Sequence, residues 1–337
     1  MGYSDDIRNV YKEDLPWNKL TGVKVLITGA TGLIGGCLVD VLMNNEAINC
    51  DVYASGRNES RAKTRFEKYW YNPNFHFLKY DVLTPLKQDL SFDYIIHAAS
   101  NASPNFFANN PVEVIKSNII GVSNLVEYGL THHMKRFLYI SSGEIYGEGD
   151  GRIFNEDDSG FVNCAKPRAC YPSSKRAAET LCVSYASEYA ADIVIARPCH
   201  TYGPYFTESD NRVYAQFIRN IQQGEDIVLK SSGEQFRSWC YVVDCASAIL
   251  YILLKGQCGE AYNIADSKSN ISIKELAGII ARMGNKKVVV GQPNDEEKKG
   301  YNVVHKSVLS TAKISFLGWR PRVSLDKGLE NTINESI

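Results

Sequence analysis

Val23-Lys24-Val25-Leu26-Ile27-Thr28-Gly29-Ala30-Thr31-Gly32-Leu33-Ile34-Gly35 is the stretch on which the reading of this sequence turns. Val23 to Ile27 reads as a buried strand and Gly32 to Met43 as a helix, with glycines at 29, 32 and 35 at the junction. Glycines there permit a tight turn and let the backbone approach a pyrophosphate, which then sits on the partial positive charge of a helix N-terminus. The spacing departs from G-x-G-x-x-G, and glycines alone serve equally as a turn or a helix-packing device. The strand before and the helix after them favour the dinucleotide. Gly29, Thr31, Gly32, Leu33, Ile34 and Gly35 are therefore the expected cofactor-binding turn.

Outward from this turn the chain alternates. Asp51–Ala54, Phe75–Leu78, Tyr94–Ile96, Phe137–Ile140 and Ile193–Ala196 are short apolar runs, separated by helical stretches near 59–70, 112–130 and 172–190. Strands alternating with helices predict an α/β fold, a Rossmann-type doubly wound parallel sheet with helices on both faces. Residues 1–20 read as an N-terminal extension and 21–203 as the NAD(P)-binding domain. Residues 204–337 read as a smaller C-terminal α/β substrate-binding region with segments returning to the sheet.

Composition removes other classes. The 337 residues are 44% hydrophobic and 22% charged, as expected of a folded globular chain. Lys plus Arg number 37 against 38 Asp plus Glu, a net charge of −1, which gives no footprint for nucleic acid or an anionic membrane. The longest apolar run, Ala248–Leu254, is far shorter than the ~20 residues that span a bilayer, so no membrane role is expected. Nine scattered cysteines form no C-x-x-C pair, which argues against a disulfide framework or a metal site and for a reducing, cytoplasmic setting. The acidic and basic residues of the first fourteen positions exclude the apolar core of a signal peptide there.

Cofactor type is read where the second strand ends, because an acid there grips the ribose 2′-hydroxyl and an Arg accommodates a 2′-phosphate. The chain runs Ala54-Ser55-Gly56-Arg57-Asn58 with no acid, so Arg57, with Arg61 behind it, favours NADP over NAD unless it is a solvated surface residue. Asp81 follows the Phe75–Leu78 run, placed to accept a hydrogen bond from adenine or to cap a turn.

Tyr171 and Lys175 stand four apart at the start of a helical stretch and share one face. A phenol of pKa near 10 works as a base at neutral pH only after a shift of about 3 units, or ~4 kcal/mol. An adjacent ammonium and a positive nicotinamide contribute that field. Tyr-x-x-x-Lys is commonly a helix-surface pair, but Ser142 at the end of the preceding strand offers a hydroxyl to share the substrate proton.

With these residues the chain closely resembles the extended short-chain dehydrogenase/reductase family, in its group of nucleotide-sugar epimerases, dehydratases and decarboxylases. The likeness spans about residues 22–333. It includes the glycine turn, Asp81-Val82, His97-Ala98-Ala99, Ser142 with Tyr146-Gly147, Tyr171/Lys175, Arg197-Pro198 with Tyr202-Gly203-Pro204, Arg237 before Val242-Val243-Asp244, and Leu317-Gly318-Trp319-Arg320-Pro321. The resemblance implies a catalytic Ser142, Tyr171 and Lys175, with Tyr171 taking the proton of a sugar hydroxyl as a nicotinamide accepts hydride. It adds Val82, Ala98, Ala99, Tyr171 and Lys175 to the cofactor-binding residues and implies a nucleotide-diphosphate sugar as partner.

Three stretches look most like UDP-glucuronate decarboxylases: Ala99–Pro104 with Asn110-Pro111, Lys166–Tyr171, and Asn211–Val213 before Phe217-Ile218. The same likeness implies Ser103, Arg212 and Arg237 as substrate-binding residues, the arginines holding the diphosphate. Each arginine alone is equally a surface ion pair.

Ser142-Gly143-Glu144 bears on the reaction. Oxidation at C4 gives a ketone that acidifies C5 or labilises a C5 carboxylate, so one first step feeds several outcomes. Glucose-type 4,6-dehydratases carry an Asp where this chain has Gly143, and decarboxylases usually a Ser. Glu144 is retained as a candidate catalytic carboxylate, the alternatives being a buried pair or a loop cap. Decarboxylation leads, with 4,6-dehydration, 4-epimerisation, an NADPH-dependent 4-ketosugar reductase and a catalytically idle relative as alternatives. Apolar positions on the helices 112–130 and 172–190, among them Val114, Ile119, Val122, Val126, Ala178, Leu181, Cys182 and Tyr185, exceed what one helix buries against its own sheet, and the resemblance implies a homodimer paired through these helices.

Overall fold

The computed structural model describes residues 2–45, 48–292 and 304–335. Seven parallel strands form the main sheet, in the order Ala261–Ile264, Ile193–Pro198, Arg136–Ile140, Tyr94–His97, Lys24–Thr28, Asp51–Gly56, Phe75–Lys79. The expected strands and helices all form, within a few residues of their predicted ends. Lys24–Thr28 lies inside the sheet, with Val25 opposite Val52 on one side and Tyr94 on the other.

Successive side chains of that strand point to opposite faces. Leu26 joins Ile95, Phe137, Val122 and Leu125 in one core cluster, while Val25 and Ile27 join Leu38, Val39 and Ile249 in the other. Because both faces are covered, apolar side chains stand at the consecutive positions Val25, Leu26 and Ile27, and each fully buried one contributes about 1.5–3 kcal/mol. The helices Pro111–Thr131 and Cys170–Tyr189 pack together on the first face. Leu33–Met43 and Val242–Lys255 cover the second.

Ordered structure begins before Val23. Tyr3–Val10 is a helix whose Tyr3, Ile7 and Val10 are buried. The Tyr3 hydroxyl donates to the buried Asp40 at 2.6 Å, and Arg65 completes that cluster through an ion pair. Beyond Pro204, Phe236–Tyr241 centres a second sheet, antiparallel to Asp266–Ser272 and parallel to His200–Tyr202 and to Lys306–Leu309, which in turn pairs with Ile153–Phe154. No helix among the described residues is long and apolar enough to cross a membrane. No His, Cys, Asp and Glu cluster fit for a metal occurs among them, and all nine cysteines are free thiols.

Candidate active site

The sheet order reverses direction between Lys24–Thr28 and Tyr94–His97, and in open α/β sheets ligands bind beyond the carboxyl ends of strands at such a switch point. A cavity of about 440 Å³ opens there. Gly29, with φ of +66°, turns the chain out of the first strand into its floor. A Cβ at Gly29 would stand 2.7 Å from the Ala98 carbonyl carbon and oxygen, and one at Gly35 would stand 2.5 Å from the Gly29 carbonyl oxygen. The two strand ends and the helix start approach this closely only through glycine. Leu33, Ile34 and Gly35, the first turn of the helix Leu33–Met43, line the cavity, so their end of the helix dipole faces it.

The opposite end is built by the strand Arg136–Ile140 and the helix Cys170–Tyr189. Ser142 sits just past the strand and Tyr171 in the first turn of the helix, with Lys175 one turn further. All three line the cavity. Lys175 Nζ donates to the Ile140 carbonyl at 2.7 Å and lies 4.6 Å from the centre of the Tyr139 ring. Burial pushes the Lys175 ammonium down to about 7. Burial, with the charge of Glu144, pushes the Tyr171 phenol up to about 12, opposed by a hydrogen bond with Ser142 and by the charges of Arg212 and Arg168. The phenol therefore holds its proton at neutral pH, and a further positive charge beside it is required before it acts as a base.

Two buried hydroxyls in the wall, Ser100 Oγ and Ser141 Oγ, have no hydrogen-bond partner among the described residues. Buried polar groups are costly unless bonded, so these suit a polar ligand filling the cavity. The glycine cradle, the helix end and these hydroxyls together fit a dinucleotide.

Residues 25–265 match the model of the NAD dependent epimerase/dehydratase family. This chain belongs to that family. It is 35% identical over 317 residues to UDP-glucuronic acid decarboxylase 6 of Arabidopsis thaliana, covering 92% of this chain and 87% of that one. It is 32% identical to UDP-glucuronic acid decarboxylase 1 of Xenopus tropicalis, covering 92% of this chain and 71% of the relative. Among solved structures, a UDP-glucose 4-epimerase of Thermotoga maritima with UDP-glucose superimposes with a TM-score of 0.79 at 25% identity, over 93% of this chain and 98% of that one. A dTDP-glucose 4,6-dehydratase of Streptomyces venezuelae with NAD bound shares the fold, with a TM-score of 0.81 at 24% identity over 92% and 96% of the two chains. As a member of the family this chain is an NAD-dependent enzyme.

The other expected family site residues are placed as follows. Val82, Ala98, Ala99 and Asp81 line the cavity; Asp81 Oδ1 accepts the Leu83 N–H at 3.0 Å, so its carboxylate caps the turn. Ser103 lines the cavity and its hydroxyl donates to Asn211 Oδ1 at 2.6 Å. Arg212 also lines it, its fork on Asp210 with Nη2–Oδ2 at 2.6 Å and Nη1 donating to the Thr201 carbonyl at 3.2 Å. Arg237 lies behind the wall, its neighbour Ser307 on the adjoining strand being a lining residue. Its guanidinium is spent on the carbonyls of Phe236, His305 and Val304, and burial lowers it to about 10. Arg57 is not the free cation its position suggested, because Nη1 lies 3.0 Å from Glu113 Oε1. Arg61 donates to the Thr31 carbonyl at 3.0 Å.

Glu144 lines the cavity beside Tyr171 and is paired with Arg168, Nη2 to Oε2 at 3.0 Å. Arg168 lies over the Phe107 ring at 4.8 Å, and that ring stacks on Tyr171 at 4.6 Å with 24° between planes. Arg168 and Phe107 thus fix the positions of Glu144 and Tyr171 in the wall. Arg168 stands within the decarboxylase-like stretch Lys166–Tyr171, whereas Phe107 belongs to no motif. His200, between the charges of Arg237 and Arg212, and Glu113 are further lining residues without a sequence signal.

Proposed function

We propose that this chain modifies a nucleotide-diphosphate sugar through oxidation at C4, and that it acts as a UDP-glucuronate decarboxylase. The observation that supports this is the meeting of Ser142, Tyr171, Lys175 and Glu144 on one cavity that continues to the glycine turn. Tyr171 Oη takes the proton of the C4 hydroxyl, and Ser142 Oγ holds that oxygen in place while the charge moves. Lys175, anchored on the Ile140 carbonyl, presents its ammonium toward the phenol. A bound nicotinamide would supply the hydride acceptor and a positive charge beside the phenol. Glu144, steadied by Arg168, is the carboxylate placed to assist at C5 or its substituent.

A 4-epimerase is the second reading, and Gly143 favours it. A Cβ there would stand 3.0 Å from a Leu309 methyl, so this wall offers no hydroxyl where decarboxylases usually carry Ser. Incubation with UDP-glucuronate followed by chromatography with mass detection separates the two, since loss of CO₂ supports decarboxylation and a new peak of unchanged mass supports epimerisation.

NADP beside NAD as an accepted cofactor rests on Arg57 lining the cavity, its charge shared with Glu113. Nine free thiols suit a reducing cytoplasm. A homodimer is supported by residues other than most of those expected: Val114, Val122, Val126, Ala178 and Cys182 are buried in the chain's own core. Val112, Ile115, Ile120, Val183 and Tyr189 remain exposed on the same two helices. Light scattering at micromolar concentration should give twice the monomer mass, and a monomer mass would refute it.

A further inference from the structure

The chemistry above leaves unused the ion pair between Arg57 and Glu113. Arg57 follows the second strand of the sheet, Asp51–Gly56, whereas Glu113 lies in the first turn of the helix Pro111–Thr131, which follows Tyr94–His97. These two strands flank Lys24–Thr28 on opposite sides, so the pair reaches across the switch point. Both residues line the cavity with the glycine turn.

We propose that Glu113 sets the discrimination between NAD and NADP, supplying from the helix the carboxylate that the second strand lacks and competing with a ribose 2′-phosphate for Arg57. The proposal rests on the dinucleotide reading of this cavity. Arg57 alone would favour a 2′-phosphate. With Glu113 Oε1 at 3.0 Å its charge is already matched. A phosphate reaching the guanidinium must displace the carboxylate and then remain beside it, like charge against like. A ribose 2′-hydroxyl is neutral and a donor, so the same carboxylate receives it. Arg61 does not offset this, because its Nη2 is engaged by the Thr31 carbonyl. The pair is half open to solvent, with 57% of the Arg57 and 33% of the Glu113 side chain exposed, so partners exchange at little cost and the discrimination is narrow.

The test is calorimetric titration of the full-length protein, stripped of nucleotide, with NAD and with NADP. Glu113→Gln should lower the ratio of the NADP to the NAD dissociation constant by about fivefold, the equivalent of one exposed ion pair. Arg57→Gln should raise it. Thermal unfolding without nucleotide should be the same in all three proteins, which separates a binding effect from a folding one. An unchanged or increased ratio in Glu113→Gln overturns the proposal and leaves the dinucleotide reading standing. Binding of neither nucleotide to the unaltered protein overturns both.

Discussion

Glu144→Gln keeps the size and reach of the side chain and removes its charge, so it separates chemistry at C5 from chemistry confined to C4. Glu144 and Arg168 are 23% and 21% exposed, so their pair is worth more than a surface bridge and less than a fully buried one. Its loss should cost about 1–2 kcal/mol, or a few degrees in Tm. Turnover should fall much further, by at least ~10²-fold, because a positioned acid–base group has been lost. The phenol responds too. After burial, the Glu144 charge is the second cause holding Tyr171 at about 12, so the variant's phenol should ionise at lower pH. Mass spectrometry of UDP-glucuronate turnover measures the first effect, and ultraviolet titration of tyrosinate the second. Product formation within about threefold of the unaltered enzyme, too small a change for a lost acid–base group, would refute the assignment of Glu144 to C5.

Tyr171→Phe retains the ring stacked on Phe107, so Tm should hold while turnover drops by at least ~10²-fold; near-normal turnover would remove Tyr171 from the mechanism. Lys175 carries a pKa of about 7 in the fold against an ordinary 10.5. Between those values the unfolded chain binds the proton and the native one does not, so nucleotide-free protein should gain stability as pH rises from about 7 toward 10.5, by at most about 4–5 kcal/mol. Lys175→Met should lack that gain in urea unfolding, and parallel pH profiles for the two proteins would contradict the assignment. Gly29→Ala places a Cβ 2.7 Å from the Ala98 carbonyl at a φ of +66°. It should cost about 2–4 kcal/mol and weaken NAD binding in calorimetry; a variant of normal stability and affinity would show that the strand ends can separate.

Much of this molecule was legible in one dimension because its central elements satisfy local rules. A parallel sheet covered on both faces favours apolar residues at consecutive positions, so strands such as Val25-Leu26-Ile27 announce themselves as runs. The glycine turn, Ser142 and the Tyr171/Lys175 spacing were legible for the same reason, since each is defined by a strand end or a helix start beside it in sequence. The helix Tyr3–Val10 carries a signal as well, in the i, i+4, i+7 spacing of Tyr3, Ile7 and Val10, although it lies in the stretch read as an N-terminal extension.

What only the tertiary structure decided is which charges meet. Arg57 finds Glu113 across 56 positions, Arg168 finds Glu144 across 24, and Arg237 turns from the cavity to three backbone carbonyls. Sequence marks an arginine as a cation but leaves its counter-charge unnamed, because the partner arrives on another element that the sheet order carries alongside. Hydrophobic periodicity follows from the geometry of a single strand or helix, whereas the state of a charge depends on every group within a few ångströms once the chain has closed. The sheet and the placing of Ser142, Tyr171 and Lys175 were therefore written in local pattern, while the pairing of Glu144, the neutralisation of Arg57 and the ring of Phe107 against Tyr171 came into being only when distant segments packed around the switch point.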